Sequence, residues 1–263
     1  MLGARSMDLN SDTGESFGPY QLGETATLLP VVTSANVACG FHAGDPRTMA
    51  ATVALARRHR VGVGAHVGYP DLVGFGRRAI AASSEEIATD VLYQIGALFA
   101  FTQAEGVPLR HVKGHGALYN QAVRDERVAA ALVLGVARFR QPLALVAPAG
   151  SAMAAAAEAH GLPLVWEAFC DRAYRPDGTL VPRTEPDSVL TDPGLVAARA
   201  VRLARSQEVV AADGTVITVP CATLCIHGDT AGATKVAARV RAELEAAGIA
   251  LRPMASPAPP PGG

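Results

Sequence analysis

Little in this chain suits it to an oxidising compartment or a bilayer. Only four cysteines occur in 263 residues, too few for a disulfide scaffold. Cys221 and Cys225 lie four apart with no second Cys or His pair at zinc-ribbon spacing. Reduced, packing cysteines in a cytoplasmic protein are the expectation. The opening MLGARSMDLN carries an Arg with no apolar stretch behind it, so no secretory signal is expected. The longest apolar run, Val128 to Ala137, is about half the ~20 residues that span a bilayer. Charge is scarce and balanced: 18% charged residues and a net charge of −1. No basic cluster is interleaved with aromatics, which excludes a nucleic-acid partner. Aromatics reach 5% with one Trp, leaving few platforms for stacking sugars.

Several catalytic motifs are also missing. Gly228–Lys235 (GDTAGATK) lacks the Gly-Lys-Ser/Thr ending of a Walker A loop, although its backbone N–H groups at a helix start could hold an anion. No Gly-x-Ser-x-Gly elbow occurs. Gly62-Val-Gly64 has no third Gly at dinucleotide spacing and falls inside a strand. Serine-hydrolase and nicotinamide chemistry lose support.

What is present is a 49% hydrophobic chain of the length of one α/β barrel. Short β-branched runs alternate with Ala/Leu-rich segments of helical period, the pattern of βα units around a parallel sheet. Seven strands are predicted: Met7–Asn10, Val31–Ala38, Val61–Val67, Leu109–Lys113, Leu143–Ala147, Leu164–Phe169 and Thr223–His227. Asp45-Pro46 and Asp192-Pro193 open helices over Arg47–His59 and Gly194–Arg205. Ser83 and Glu86 form a capping box before Ile87–Glu105, which Gly106 closes. The last helix spans Ala233 to Ala247. Val209 to Val219 reads as a hairpin turning at Asp213-Gly214. The long Pro176–Pro186 loop, or the overlapping Tyr174–Arg183 stretch, is a candidate lid. The expected division is an extension over 1–6, one barrel over 7–252 and a disordered Pro-rich tail over 253–263.

Chemically capable residues collect at the strand ends, where parallel barrels build their sites. Asn10 and Asp12 follow the first strand, Asn36 and His42 the second, and His66 ends the third. Lys113 and His115 close the fourth, Glu167 and Asp171 flank the end of the sixth, and His227 and Asp229 end the last. His59 and His160 close helices, where the dipole favours them. Asp229 suits a helix cap as well as a site. Asp12, His66 and His115 offer an O/N/N metal site, or without metal an acid–base set. Lys113 could stabilise an oxyanion or hold a carboxylate.

At these positions the chain resembles the LamB/YcsF family of 5-oxoprolinase A subunits. The matching stretches are LNSDTGESFG (9–18), TSANVACGFHAGDP (33–46), GAHVGYPD with GFGRR (64–78), HVKGHGALYN (111–120), DRAYRPDGTLVPR (171–183) and CIHGDTAGA (225–233). The family usually has Cys where Ser11 stands and Pro where Val67 and Gly114 stand, so a nucleophilic thiol is not required. The family pattern starts at Met7. The resemblance implies a distorted seven-stranded (β/α) barrel, similar to the glycoside hydrolase/deacetylase superfamily. It also implies ATP-dependent opening of 5-oxo-L-proline to L-glutamate, with ATP, Mg²⁺ and separate B and C subunits. Some superfamily relatives bind a divalent metal through one Asp and two His, to which Asp12, His66 and His115 correspond by position.

The expected catalytic set is therefore Asp12, His66, Lys113, His115 and Asp229. Expected substrate contacts are Asn10, Asn36, His42, Arg77, Arg78, Asn120 and His227. Asp12 or His115 would be the base for water after partner subunits activate the lactam. Lys113 and the Arg77/Arg78 loop would hold carboxylate or phosphate. Two other readings stay open: a stand-alone metal-dependent deacetylase of a small amide or amino sugar, and a non-catalytic substrate-holding subunit.

Overall fold

Alternation along the strands decides the architecture. In β1 (Ser6–Thr13) Asp8, Asn10 and Asp12 share one face, and Leu9 lies on the other. The same period runs through β2 (Ser34–Ala38), with Ser34 and Asn36, and β3 (Gly62–Val67), with Gly62, Gly64 and His66. It continues through β4 (Leu109–Gly114), with His111 and Lys113. The polar face meets at the barrel axis, and the apolar face packs on helices. The computed structural model describes residues 6–229 and 232–255.

The remaining strands are β5 (Ala144–Ala147), β6 (Leu164–Phe169), β7 (Glu208–Val210), β8 (Val216–Thr218), β9 (Thr223–Ile226) and β10 (Ala250–Leu251). Helices are α1 (Thr25–Leu28), α2 (Pro46–His59), α3 (Ser84–Ala104), α4 (Gly116–Ala122), α5 (Glu126–Arg138), α6 (Ala152–Ala159), α7 (Pro193–Ser206) and α8 (Ala233–Ala246). Strands β1 to β6 and β9 pair in parallel in that order, and β9 returns to β1. A closed seven-stranded barrel results, as the sequence predicted. β10 adds to the outer end of β1 through Ser6 and Met7.

Local signals held where a side chain satisfies a helix end. Asp45 accepts from the Arg47 and Thr48 N–H groups, Asp192 from Leu195, and Ser83 with Glu86 completes its capping box. β7 and β8 form the antiparallel hairpin, with Gly214 in the left-handed region. His59 and His160 do end helices. Asp229 does not cap α8. Its start is Gly232, and the Glu24 carboxylate takes the Gly232 and Thr234 N–H groups. The anion position expected there is filled by the protein itself.

The apolar core lies between barrel and helices, uniting Leu9, Val37, Val63, Val112 and Leu145 with Val53, Ile95, Leu132, Leu203 and Val240. All four cysteines are free and buried. β1 begins at Ser6, one residue inside the expected extension, and runs three residues past the predicted end at Asn10. Met254 is buried and held by Ser34 and Arg110, so packing reaches into the segment assigned to the tail. Residues 1–5 and 256–263 of those two expectations lie outside the described residues. Among the described residues no helix is long and apolar enough to cross a membrane.

Candidate active site

The barrel lumen is a stack of buried polar groups. At its base Asp8 accepts from the hydroxyls of Thr33, Ser34 and Thr223. Burial pushes its carboxyl up to about 6 despite those three donors. One layer up, Asn10 donates to Thr223 at 2.7 Å and to Glu167 at 3.1 Å, and its oxygen accepts from Asn36 at 2.8 Å. The His111 ring lies 2.8 Å from the Asn36 oxygen, and burial holds it neutral, down to about 3. That ring occupies the space a side chain at position 64 would need, since a Cβ there would collide with His111 Nε2. The β3–β4 register slips by one residue at this level, between Val63 and Gly64.

Lys113 joins the stack to the mouth. Its ammonium lies 2.7 Å from Glu167, 3.3 Å from Asp12 and 3.0 Å from Cys225 Sγ. Burial opposes its charge, but Asp12, Cys225 and Glu167 outweigh burial and raise it well above the ordinary lysine value. Glu167 also accepts from the Tyr119 hydroxyl at 3.1 Å. Asp12 is held well below the carboxylate range: burial would raise it, and the charges of His66 and Lys113 overcome that. Asn36 donates to the same oxygen at 2.9 Å.

Beside Asp12 stands a histidine cluster. His66 Nε2 is 2.9 Å from His115 Nδ1 and 3.4 Å from Asp12. The His42 ring stacks on His115 with centroids 3.7 Å apart. Glu15, just past β1, reaches within 3.5 Å of His42 and 3.7 Å of His115. Burial, foremost, keeps His42 and His115 uncharged, His115 down to about 3. Burial likewise raises Glu15 well above its usual value. The Phe75 carbonyl, 2.8 Å from His115 Nε2, comes from a residue held at φ 54°.

A cavity of about 60 Å³ opens above these groups, lined among others by Asp12, His66, Lys113, His115 and His227. His227 Nδ1 lies 3.0 Å from Asp171, which also accepts from the His227 N–H, and its ring stacks on Phe169. Burial would raise Asp171, yet the charge and hydrogen bonds of His227 bring it below its ordinary value. Arg77, Arg183 and Asn120 form part of the wall, and Arg77 and Arg183 both face Asp229. A larger concavity of about 920 Å³ lies away from this chemistry, between residues 16–27 and α2. Its carboxylates, Glu24 and Asp45, already cap α8 and α2.

The structure thus brings Asp12, His66, Lys113, His115, Arg77, Asn120 and His227 to one cavity. Asn10 and Asn36 sit directly beneath it, His42 lies behind His115, and Asp229 reaches its rim through Arg77 and Arg183. Arg78 does not join them. Its exposed guanidinium turns back to pair with Asp71. The expected metal triad also changes: the four groups with ligand atoms within 4.8 Å of one another are Glu15, His42, His66 and His115. Asp12 falls into a second group with Cys225 and His227. Sequence reasoning missed Glu15, His111, Tyr119 and Arg183, and it gave no roles to Glu167 and Asp171. Glu15 follows Asp12 by three residues at a strand end, a legible signal. His111 lies mid-strand and offered none.

A closed seven-stranded parallel barrel with an ionisable cavity at the C-terminal strand ends is the arrangement of the (β/α)-barrel proteins, which build their sites at that face. The catalytic domain of a peptidoglycan N-acetylglucosamine deacetylase from Eubacterium rectale shares the fold, with TM-score 0.52 and 12% identity over 98% of this chain and 92% of that one. The chain belongs to the LamB/YcsF family, which residues 7–258 match. It is 53% identical over 247 residues to the 5-oxoprolinase A subunit of Symbiobacterium thermophilum, covering 94% of this chain and 95% of the relative. The namesake of Pyrococcus furiosus is 48% identical, covering 94% of this chain and 97% of the relative. The crystal structure of a lactam utilization protein from Thermus thermophilus matches with TM-score 0.91 at 49% identity, over 95% of this chain and all of that one.

Proposed function

We propose that this chain is the lactam-opening subunit of an ATP-dependent 5-oxoprolinase. It would turn 5-oxo-L-proline, ATP and water into L-glutamate, ADP and phosphate. It works in the cytoplasm with separate B and C subunits, and ATP enters as its Mg²⁺ complex. One observation carries the reading: a fixed ammonium, a carboxylate-oriented imidazole and three arginines, Arg77, Arg172 and Arg183, converge on one cavity. Relatives of about half-identical sequence named as 5-oxoprolinase subunits support the choice of substrate.

A lactam is a resonance-stabilised amide and needs activation near neutral pH. Transfer of the terminal phosphoryl group of ATP to the amide oxygen makes the ring carbon electrophilic. Water adds there, the C–N bond breaks, and the nitrogen leaves as the amine. Hydrolysis of the resulting acyl phosphate releases phosphate and the glutamate carboxylate. The activating step is assigned to the partner subunits, which fits the lack of a Walker A sequence here.

His227, oriented by Asp171, takes the proton from water and returns one to the leaving nitrogen. Asp12, held ionised, orients and does not serve as the base, and His115 Nε2 is engaged by the Phe75 carbonyl. Lys113 stabilises the developing oxyanion, while Arg77 and Arg183 hold carboxylate or phosphoryl oxygens. A divalent ion, if bound here, would be held by donors from Glu15, His66 and His115 and would supply Lewis acidity.

His227→Gln and Asp12→Asn test the assignment in the assembled enzyme with ATP and 5-oxoproline. Glutamate release is expected to fall roughly 10²–10⁴-fold in each, with the subunits still co-purifying. Wild-type turnover in both would reduce the chain to a substrate-holding subunit.

A further inference from the structure

We infer that Arg172 selects a carboxylate-bearing substrate: its guanidinium, buried beside the cavity and paired with no acid, receives the carboxylate of the lactam ring. The inference rests on the lactamase reading and deepens it by naming the group that recognises the acid.

Arg172 lies in the loop after β6, and the chain there is held on both sides. The Ala173 N–H donates to the Ser188 carbonyl, the Leu190 N–H to Asp171 and the Val181 N–H to Ala173. The same two segments grip the side chain. Nε donates to the Ser188 carbonyl at 3.1 Å and Nη2 to the Val181 carbonyl at 2.6 Å. A guanidinium carries five N–H donors, so three remain, including both on Nη1. Arg172 is 6% exposed and lines the cavity, and among the described residues nothing bonds Nη1. The group is oriented before any ligand arrives, which lowers the entropy lost on binding.

Charge separates Arg172 from the other fixed cations of the cavity. Lys113 has Asp12 and Glu167, and Arg77 and Arg183 face Asp229. Among the described residues Arg172 has no ion-pair partner. Asp171, its neighbour in sequence, is turned to the N–H and ring of His227. Burial, then the charge of Arg183, lowers Arg172 from its ordinary value, but a guanidinium starts so far above neutrality that it keeps its proton. A buried cation bonded only to backbone carbonyls lacks the counter-charge that offsets its desolvation. An anionic ligand brings that charge, and a carboxylate matches the guanidinium edge with two parallel N–H···O bonds. Arg77 and Arg183 are more exposed, with side chains 43% and 30% accessible, and close over the ligand from the rim. In 5-oxoproline the carboxylate and the amide carbonyl lie on the two carbons that flank the ring nitrogen. Anchoring the acid at Arg172 leaves the nitrogen and carbonyl to His227 and Lys113, which line the same cavity.

Ring opening of 5-oxoproline and of its uncharged carboxamide by the assembled enzyme with ATP tests the assignment in wild type, Arg172→Gln and Arg172→Lys. Loss of one partner of a buried charged pair should raise KM for 5-oxoproline at least about thirtyfold in Arg172→Gln, with a smaller change in kcat. Wild type should prefer the acid to the carboxamide, Arg172→Gln should lose that preference, and Arg172→Lys should keep part of it. A KM within about threefold of wild type, a rise in KM for ATP instead, or an undiminished preference for the acid would overturn the inference and leave the lactamase reading standing. No glutamate release by the assembled wild type would overturn both. If Arg172→Gln does not fold, a crystal structure of the wild-type chain with 5-oxoproline decides. A carboxylate within hydrogen-bond reach of Arg172 supports the inference, and one held only by Arg77 and Arg183 overturns it.

Discussion

Replacing Lys113 with Met keeps the aliphatic stem and removes the ammonium that touches both Asp12 and Glu167. Both carboxylates are buried, so the change strands negative charge in the lumen. Removing one partner of a buried ion pair costs about 3–5 kcal/mol, roughly 6–20 °C in Tm at ~2–4 °C per kcal/mol. The pH dependence follows from the shifts. Asp12 lies well below 3.8 in the fold, so its contribution is present above 3.8 and is lost as pH falls through the folded value. Lys113 lies above 10.5, so its contribution is present below 10.5 and is lost as pH rises through the folded value. Wild type therefore keeps the pair across the neutral range. In the variant the stranded carboxylates take up protons as pH falls. The deficit should be largest near about pH 9 and shrink toward about pH 5, measured by urea unfolding with circular dichroism. A loss below about 1 kcal/mol, or one independent of pH, would refute the buried-pair account.

Asp8, raised from 3.8 to about 6, should make wild type lose roughly 2 kcal/mol of stability as pH rises from 4 to 6. Asp8→Asn should abolish that slope, and an unchanged slope in denaturant titrations would contradict the burial argument. Gly64→Ala would drive a Cβ into the His111 ring and should cost about 1–3 kcal/mol or more, checked by Tm. A variant as stable as wild type would mean that the ring has room to move. Arg77→Gln should raise KM for 5-oxoproline about tenfold or more with a smaller change in kcat. Unchanged KM would remove Arg77 from anion binding.

The barrel was legible because its signals are periodic. Apolar alternation and proline-marked helix starts located seven strands, with boundaries displaced at several ends: β2 begins at Ser34, three residues after the predicted start at Val31, while β1 runs on past Asn10. β1 continues to Thr13 because its Asn10–Thr13 segment pairs with β2, which residue preference alone does not encode. The mouth was legible from residue type at strand ends, and Asp12, His66, Lys113, His115 and His227 do meet there. Direction was not legible. Arg77 and Arg78 are neighbours in sequence, yet one lines the cavity and the other turns to Asp71. Glu15 was legible as an acidic residue just past a strand end, but its approach to His42 and His115 was not, because it depends on how the chain after β1 folds back. The lumen network of Asp8, His111 and Glu167 requires closure of the barrel, a long-range fact.

Glutamate release from 5-oxoproline by the purified chain, with ATP and Mg²⁺, in the presence and absence of the B and C subunits, tests the central claim most directly. The account predicts release only when chain, partners and ATP are all present. Release by the chain alone without ATP, or none in the complete mixture, would contradict it. In the latter case metal-dependent deacetylation of a small amide would be the reading to pursue.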